Sequence, residues 1–90
     1  MWHERFEDLS DKTKDMHRAI RSLVEELEAI EWYQQRTDAC KDEELRSILQ
    51  HNSDEEKEHS AMLLEWIRRN DEKFSDYLKE FLFTDKPIED

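Results

Sequence analysis

Apolar residues return along the first third of the chain at steps of four, three, four and three: Met16, Ile20, Leu23, Leu27 and Ile30. That spacing keeps one side of a helix apolar over four turns, and it predicts a helix over 11–39 with Ser10 or Asp11 as its N-cap. Leu45 restarts the pattern, which continues through Ile48, Leu49, Asn52, Glu56, His59, Leu63 and Trp66 and predicts a second helix over 43–70. Lys41-Asp42 forms the turn between them. At 1.5 Å per residue each helix is about 40 Å long, and so short a link makes them antiparallel. Phe74, Tyr77, Leu78, Phe81 and Leu82 predict a third helix over 72–83, and Thr84-Asp85-Lys86-Pro87 ends it and opens a tail, 84–90. Its aromatic stripe is expected to cover the hairpin or a neighbouring chain. Residues 1–10 form a lead-in arm with Trp2, Phe6 and Leu9 at helical spacing, too short to be a stable helix alone. The expectation is an all-α single domain over 1–90: an antiparallel two-helix hairpin plus a short C-terminal helix.

Composition sharpens this picture. The 90 residues include no Gly and a single Pro, with 43% charged and 36% hydrophobic residues, which suits striped helices and excludes a glycine-punctuated sheet. A chain this short buries only about 60% of its unfolded surface alone, so partner chains are expected. The net charge of −11, with 14 basic residues among 25 acidic ones, argues against nucleic acid and favours cations as partners. Most of those carboxylates are expected simply to solvate the surface. Apolar runs are too short to span a membrane, and Met1–Leu9 has no signal-peptide pattern, so a cytoplasmic chain is expected. Cys40 is the lone cysteine and reads as a reduced, incidental thiol.

Two polar residues break the apolar stripe of the second helix. Glu56 and His59, three residues apart, fall on the side that carries Leu45, Ile48, Leu49, Leu63 and Trp66, so a carboxylate and an imidazole point at the expected core. Burying an unpaired carboxylate costs several kcal/mol unless a proton, a cation or a metal compensates. On the first helix, with Leu23 as reference and about 100° per residue, Leu27 lies near +40°, Ile30 near −20° and Glu26 near −60°. Glu26 therefore borders the core. Glu25, Glu28 and Trp32 share the opposite face, as do His51, Glu55 and Glu58 on the second helix.

Glu26 with Glu56-x-x-His59 makes half the ligand set of a di-iron carboxylate bundle, which takes one Glu from each of two helices and Glu-x-x-His from each of two more. Two identical hairpins related by a two-fold axis supply the whole set, so dimerisation is expected to complete both a four-helix bundle and its site. Oxygen-rich ligation with one imidazole per ion suits iron or manganese. Trp32 and Tyr33 lie near enough to surround the site, although packing at an interface is an equal reading for them. The plain alternative for the triad is a dimer whose buried polar residues set register.

At these residues the chain resembles the encapsulated ferritins, two-helix members of the ferritin-like superfamily that act as ferroxidases inside encapsulin nanocompartments. The resemblance spans nearly the whole chain and rests on EELEAIEWYQQR (Glu25 to Arg36), HNSDEEKEH (His51 to His59), LEWIRRND (Leu64 to Asp71) and LFTDKPI (Leu82 to Ile88). It implies an inter-subunit ferroxidase centre from Glu26, Glu56 and His59, with Trp32 and Tyr33 close by. It also implies metal sites at Glu25 and Glu28, where iron enters or leaves a ring, and at His51, Glu55 and Glu58 on an outer face. The family further implies a decameric ring, an encapsulin shell as partner and a C-terminal targeting peptide, a segment these 90 residues do not include. The expected activity is oxidation of iron(II) to iron(III) at a di-iron site for iron storage. The rivals are a non-catalytic helical scaffold that binds divalent cations such as calcium on its acidic faces, and a rubrerythrin-like di-iron peroxidase. The latter ranks lower because the sequence has no cysteine-rich electron-delivering segment.

Overall fold

The computed structural model describes residues 1–89. They form a single 3-10 turn at Phe6–Asp8 and three helices, α1 (Asp11–Ala39), α2 (Glu43–Asn70) and α3 (Glu72–Phe81), with no strand among the described residues. Each long helix starts on a side-chain cap. The Ser10 hydroxyl accepts from the Thr13 N–H at 3.1 Å, and the Asp42 carboxylate accepts from the Leu45 N–H at 2.8 Å. Asp71 alone separates α2 from α3, and its carboxylate accepts from the Phe74 N–H at 2.9 Å. Replacing Asp42 by alanine should cost about 1 kcal/mol of stability, the usual value of an N-cap, read as a lower denaturation midpoint in urea with an unchanged slope.

Glycine normally ends a helix in the left-handed conformation, and this sequence has none. At the hairpin turn Arg46 takes over that work, since its guanidinium donates from Nε at 3.0 Å, and from Nη2, to the Cys40 carbonyl left free at the end of α1. At the end of α3 a phenylalanine fills the role instead. Leu82 is extended and Phe83 sits at φ 58°, so the third helix stops at Phe81 rather than at residue 83 as the apolar pattern suggested. Asp90, the last residue of the expected tail, lies outside the described residues.

α1 packs along α2 and α3 against the end of α2. The seam between the long helices differs from the one that apolar spacing suggested. Ile67 (1% exposed) and Ala19 are the buried apolar residues, joined by Ser53 (2%) and Ser60 (9%). Leu27, Ile48 and Leu45 are each about half exposed, at 52%, 52% and 48%. Part of the stripe expected to be core, Ile20 and Trp66 included, is thus exposed in the single chain, while Leu23, Ile30, Leu49 and Leu63 are partly covered. A pair of helices closes on its narrowest contacts, and small side chains let the axes approach within the usual 8–10 Å. Apart from Ile67, several large side chains are left on the flanks.

The molecule is correspondingly open. Its radius of gyration is 17.0 Å, against about 12 Å for a compact chain of this length. Its accessible surface is 7705 Å², whereas a folded monomer of 11.1 kDa exposes about 5,700 Å².

The angle of α3 is held by one arginine. Arg68 grips both oxygens of Glu65, at 2.6 and 2.8 Å, while its Nη1 donates to the buried Ser75 hydroxyl on α3 at 3.1 Å. Arg69 adds a bond to the same carboxylate at 2.7 Å. The hydrogen bonds from Arg68, then those from Arg69, draw the Glu65 carboxyl down from 4.5 to about 2. A depressed carboxyl contributes stability that is whole above the unfolded value and lost as pH falls through the folded one. The α3 amide resonances should therefore shift in a transition centred near pH 2, where Glu65 takes up its proton in the folded chain, a transition that Glu65→Gln removes.

Candidate metal centre

Glu26 leaves α1 where Glu56 and His59 leave α2, all three within the seam and half-buried. Among the described residues they form the one group of three metal-ligating side chains whose ligand atoms lie within 4.8 Å of one another. His59 Nδ1 stands between the carboxylates, 3.6 Å from Glu26 Oε2 and 3.6 Å from Glu56 Oε2. Both distances are too long for hydrogen bonds.

The most telling atom is Glu26 Oε2, which is buried and has no hydrogen-bond partner. An orphaned buried carboxylate oxygen costs about 1–3 kcal/mol or more, so its place in the seam calls for a cation. The other orphan, the Thr37 hydroxyl, is neutral and lines a polar cleft with Glu31, Gln34, Asp38, Gln50, Ser53 and Lys57. The donor set suits a metal. Two carboxylates and one imidazole match the oxygen-rich preference of iron or manganese, and the three atoms need close by less than about 1 Å to share one octahedral ion.

The remaining sequence-derived candidates are arranged differently. Glu25 and Glu28 are exposed on α1, outside the triad. On the outer face of α2, His51 Nε2 meets Glu55 at 2.8 Å, with both side chains exposed, and exposed Glu58 stands outside that pair. Trp32 is half exposed; Tyr33 is partly covered and carries the Arg36 guanidinium 5.3 Å from its ring centroid.

Three features escaped the apolar pattern. Ser53, Ser60 and Ile67, the buried residues of α2, repeat at sevens, and with Ala19 of α1 they make a buried line of mostly small residues. The Glu65–Arg68–Ser75 network joins residues ten apart across a helix break. The lead-in arm is pinned to α1, with Trp2 stacked on His17 at 4.0 Å and Lys14 over the Phe6 ring at 4.0 Å. Desolvation, followed by nearby positive charges including Arg21 and Arg18, keeps the His17 imidazole below its ordinary pKa.

Comparison with known proteins places the chain. The sequence profile of the EncFtn-like family matches residues 1–85. The encapsulated ferritin-like protein of Rhodospirillum rubrum is 58% identical over 86 residues, which cover 96% of this chain and 61% of that protein. The encapsulin nanocompartment cargo protein EncC of Myxococcus xanthus is 42% identical over 67 residues, or 73% of this chain and 52% of that protein. The chain thus spans less than two thirds of either relative's length. The crystal structure of protein ne0167 from Nitrosomonas europaea superposes with a TM-score of 0.95 at 63% identity, covering 99% of this chain and 98% of that one.

Proposed function

Because this chain belongs to the EncFtn-like family, we propose that it is a ferroxidase, oxidising iron(II) at a di-iron centre built from Glu26, Glu56 and His59 of two chains. The observation that carries the reading is the orphaned Glu26 oxygen facing the Glu56–His59 pair. Each chain offers two carboxylates and one imidazole, so a two-fold dimer offers four and two, the set that holds a pair of irons.

Iron(II) is the substrate here. One electron leaves each of two iron(II) ions, and dioxygen or peroxide accepts the pair together with protons from water. The carboxylates hold two like charges close together and favour the ferric state, because added negative charge stabilises the higher oxidation state. His59 supplies a neutral nitrogen donor, which leaves the net charge of the centre to the glutamates.

The exposed large residues support a second chain as the missing wall. On a wheel of about 100° per residue, Leu45, Ile48, Asn52, Leu63 and Trp66 all fall within about 40° of His59. Leu45, Ile48 and Trp66 are 48%, 52% and 39% exposed, an apolar face around the ligand. The surface in excess of a compact monomer, about 2,000 Å² per chain, is the scale of an obligate interface. A decameric ring repeats such contacts. Glu25 and Glu28 would then pass iron inward, and His51, Glu55 and Glu58 would bind divalent cations such as calcium on the outer face, with Trp32 and Tyr33 near the centre.

The names of the relatives extend the proposal to location: this chain works inside an encapsulin shell in the cytoplasm, where the shell holds the oxidised iron. No helix among the described residues is long and apolar enough to cross a membrane. The test is the rate of iron(II) oxidation by the full chain and its triad variants. A background rate in the unaltered protein, with metal still changing its oligomeric state, would favour the non-catalytic scaffold.

A further inference from the structure

We propose that Ser53 and Ser60 are positioning residues that set the width of the metal centre and thereby the size of ion it accepts. The inference rests on the triad being a metal centre. Glu26 comes from α1, while Glu56 and His59 come from α2, so within each chain the distance between helix axes is a dimension of the site that the ligands themselves do not control. That distance is set by whatever packs in the seam beside them.

Ser53 and Ser60 bracket Glu56, three residues before it and four after it, and both are buried in the seam. With Glu26 level with Glu56 in an antiparallel pair, Leu23 and Ile30, one turn to either side of Glu26, stand level with Ser60 and Ser53. A partly covered large side chain is thus level with a buried small one on both flanks of the ligands. The Ser60 hydroxyl turns back to donate to the Glu56 carbonyl of its own helix at 2.9 Å, so it does not reach across the seam. Its smallness, rather than a bond to α1, is what the packing uses.

The magnitudes make ion size the sensitive quantity. First-row ions such as zinc bind oxygen at about 2.0–2.2 Å and calcium at about 2.3–2.6 Å, so opposed ligands stand about 0.6–0.8 Å farther apart around calcium. Interaxial distances of packed helices vary over about 2 Å with the contact residues. One valine in place of one serine therefore changes the spacing by an amount comparable to the difference between the two ions. Close seam, small ion; wide seam, large ion.

The experiment titrates the full chain with cobalt(II), follows its visible absorption, and then displaces the cobalt with calcium. His59→Ala identifies the part of the signal that belongs to the triad, and circular dichroism checks helicity. In Ser53→Val and Ser60→Val the cobalt Kd should weaken about tenfold, in the range that overpacking allows, and the calcium needed for displacement should fall by a similar factor. Ser53→Ala and Ser60→Ala, which keep the seam narrow, should stay within about twofold of the unaltered protein. An unchanged cobalt-to-calcium preference in helical valine variants overturns the proposal. If the valine variants lose helicity, Ser60→Thr, one methyl larger, decides by the same preference. A cobalt signal insensitive to His59→Ala would overturn the metal-centre reading itself, and this proposal with it.

Discussion

Replacing Glu26, Glu56 or His59 by alanine should bring iron(II) oxidation to the background rate while leaving the helices intact. Loss of a residue that merely supports a metal ligand costs about 10–100-fold, and loss of a ligand should exceed that. The three variants should fail alike, because one ion needs donors from both helices at once. Glu26 gives the sharper experiment. Its Oε2 is buried with no hydrogen bond, and His59 Nδ1 at 3.6 Å is too distant to satisfy it, so in the metal-free chain this carboxylate destabilises the fold. Glu26→Leu, of similar volume, should therefore raise the melting temperature of the metal-free protein while abolishing oxidation. A residue retained for packing would show the reverse, a lower melting temperature and normal oxidation. Full oxidation in all three alanine variants would falsify the assignment of the site.

Ile48→Asp should hold the protein as an 11.1 kDa monomer and depress iron(II) oxidation along with assembly. Ile48 lies eleven residues before His59, about 16 Å along α2, so the change does not touch the ligands. It is 52% exposed in the single chain, and a carboxylate there is solvated in the monomer and desolvated in a dimer. The penalty of several kcal/mol for burying that charge falls entirely on association. Light scattering should give the monomer mass, and oxidation should fall at least about tenfold, since a lone hairpin holds only half of the di-iron ligand set. A monomer that oxidises iron at the full rate would place the whole centre within one chain. An intact oligomer would move the interface to another face, and the remaining flank of the hairpin, with Ile20 and Leu27 exposed, would be the next to alter.

The pH transition assigned to Glu65 belongs to a separate part of the molecule. Only the placement of α3 depends on it, so iron oxidation near neutrality should be the same in Glu65→Gln.

Local chemistry alone determined a good deal here. Apolar residues at steps of three and four, with Ser10, Asp42 and Asp71 as caps, specify helices because capping and periodicity act within one turn of the chain. Ligand chemistry was legible for a related reason: a glutamate and a histidine three residues apart necessarily share a helix side, whatever that helix packs against. The tertiary structure decided which side faces which neighbour. Leu27, Leu45 and Ile48 are the residues that hydrophobicity alone assigns to a core, yet the hairpin closes on Ala19, Ser53, Ser60 and Ile67. Two helices can bury only a narrow seam, which small side chains and Ile67 fill here, and several larger ones are left for other surfaces to cover. The same closing sets Glu26 of one helix beside Glu56 and His59 of the other, a meeting of residues thirty apart that periodicity within either helix does not contain. The arm's stack on His17 and the arginine at the α2–α3 break arise in the same way, from contacts across a turn, where sequence spacing no longer measures distance.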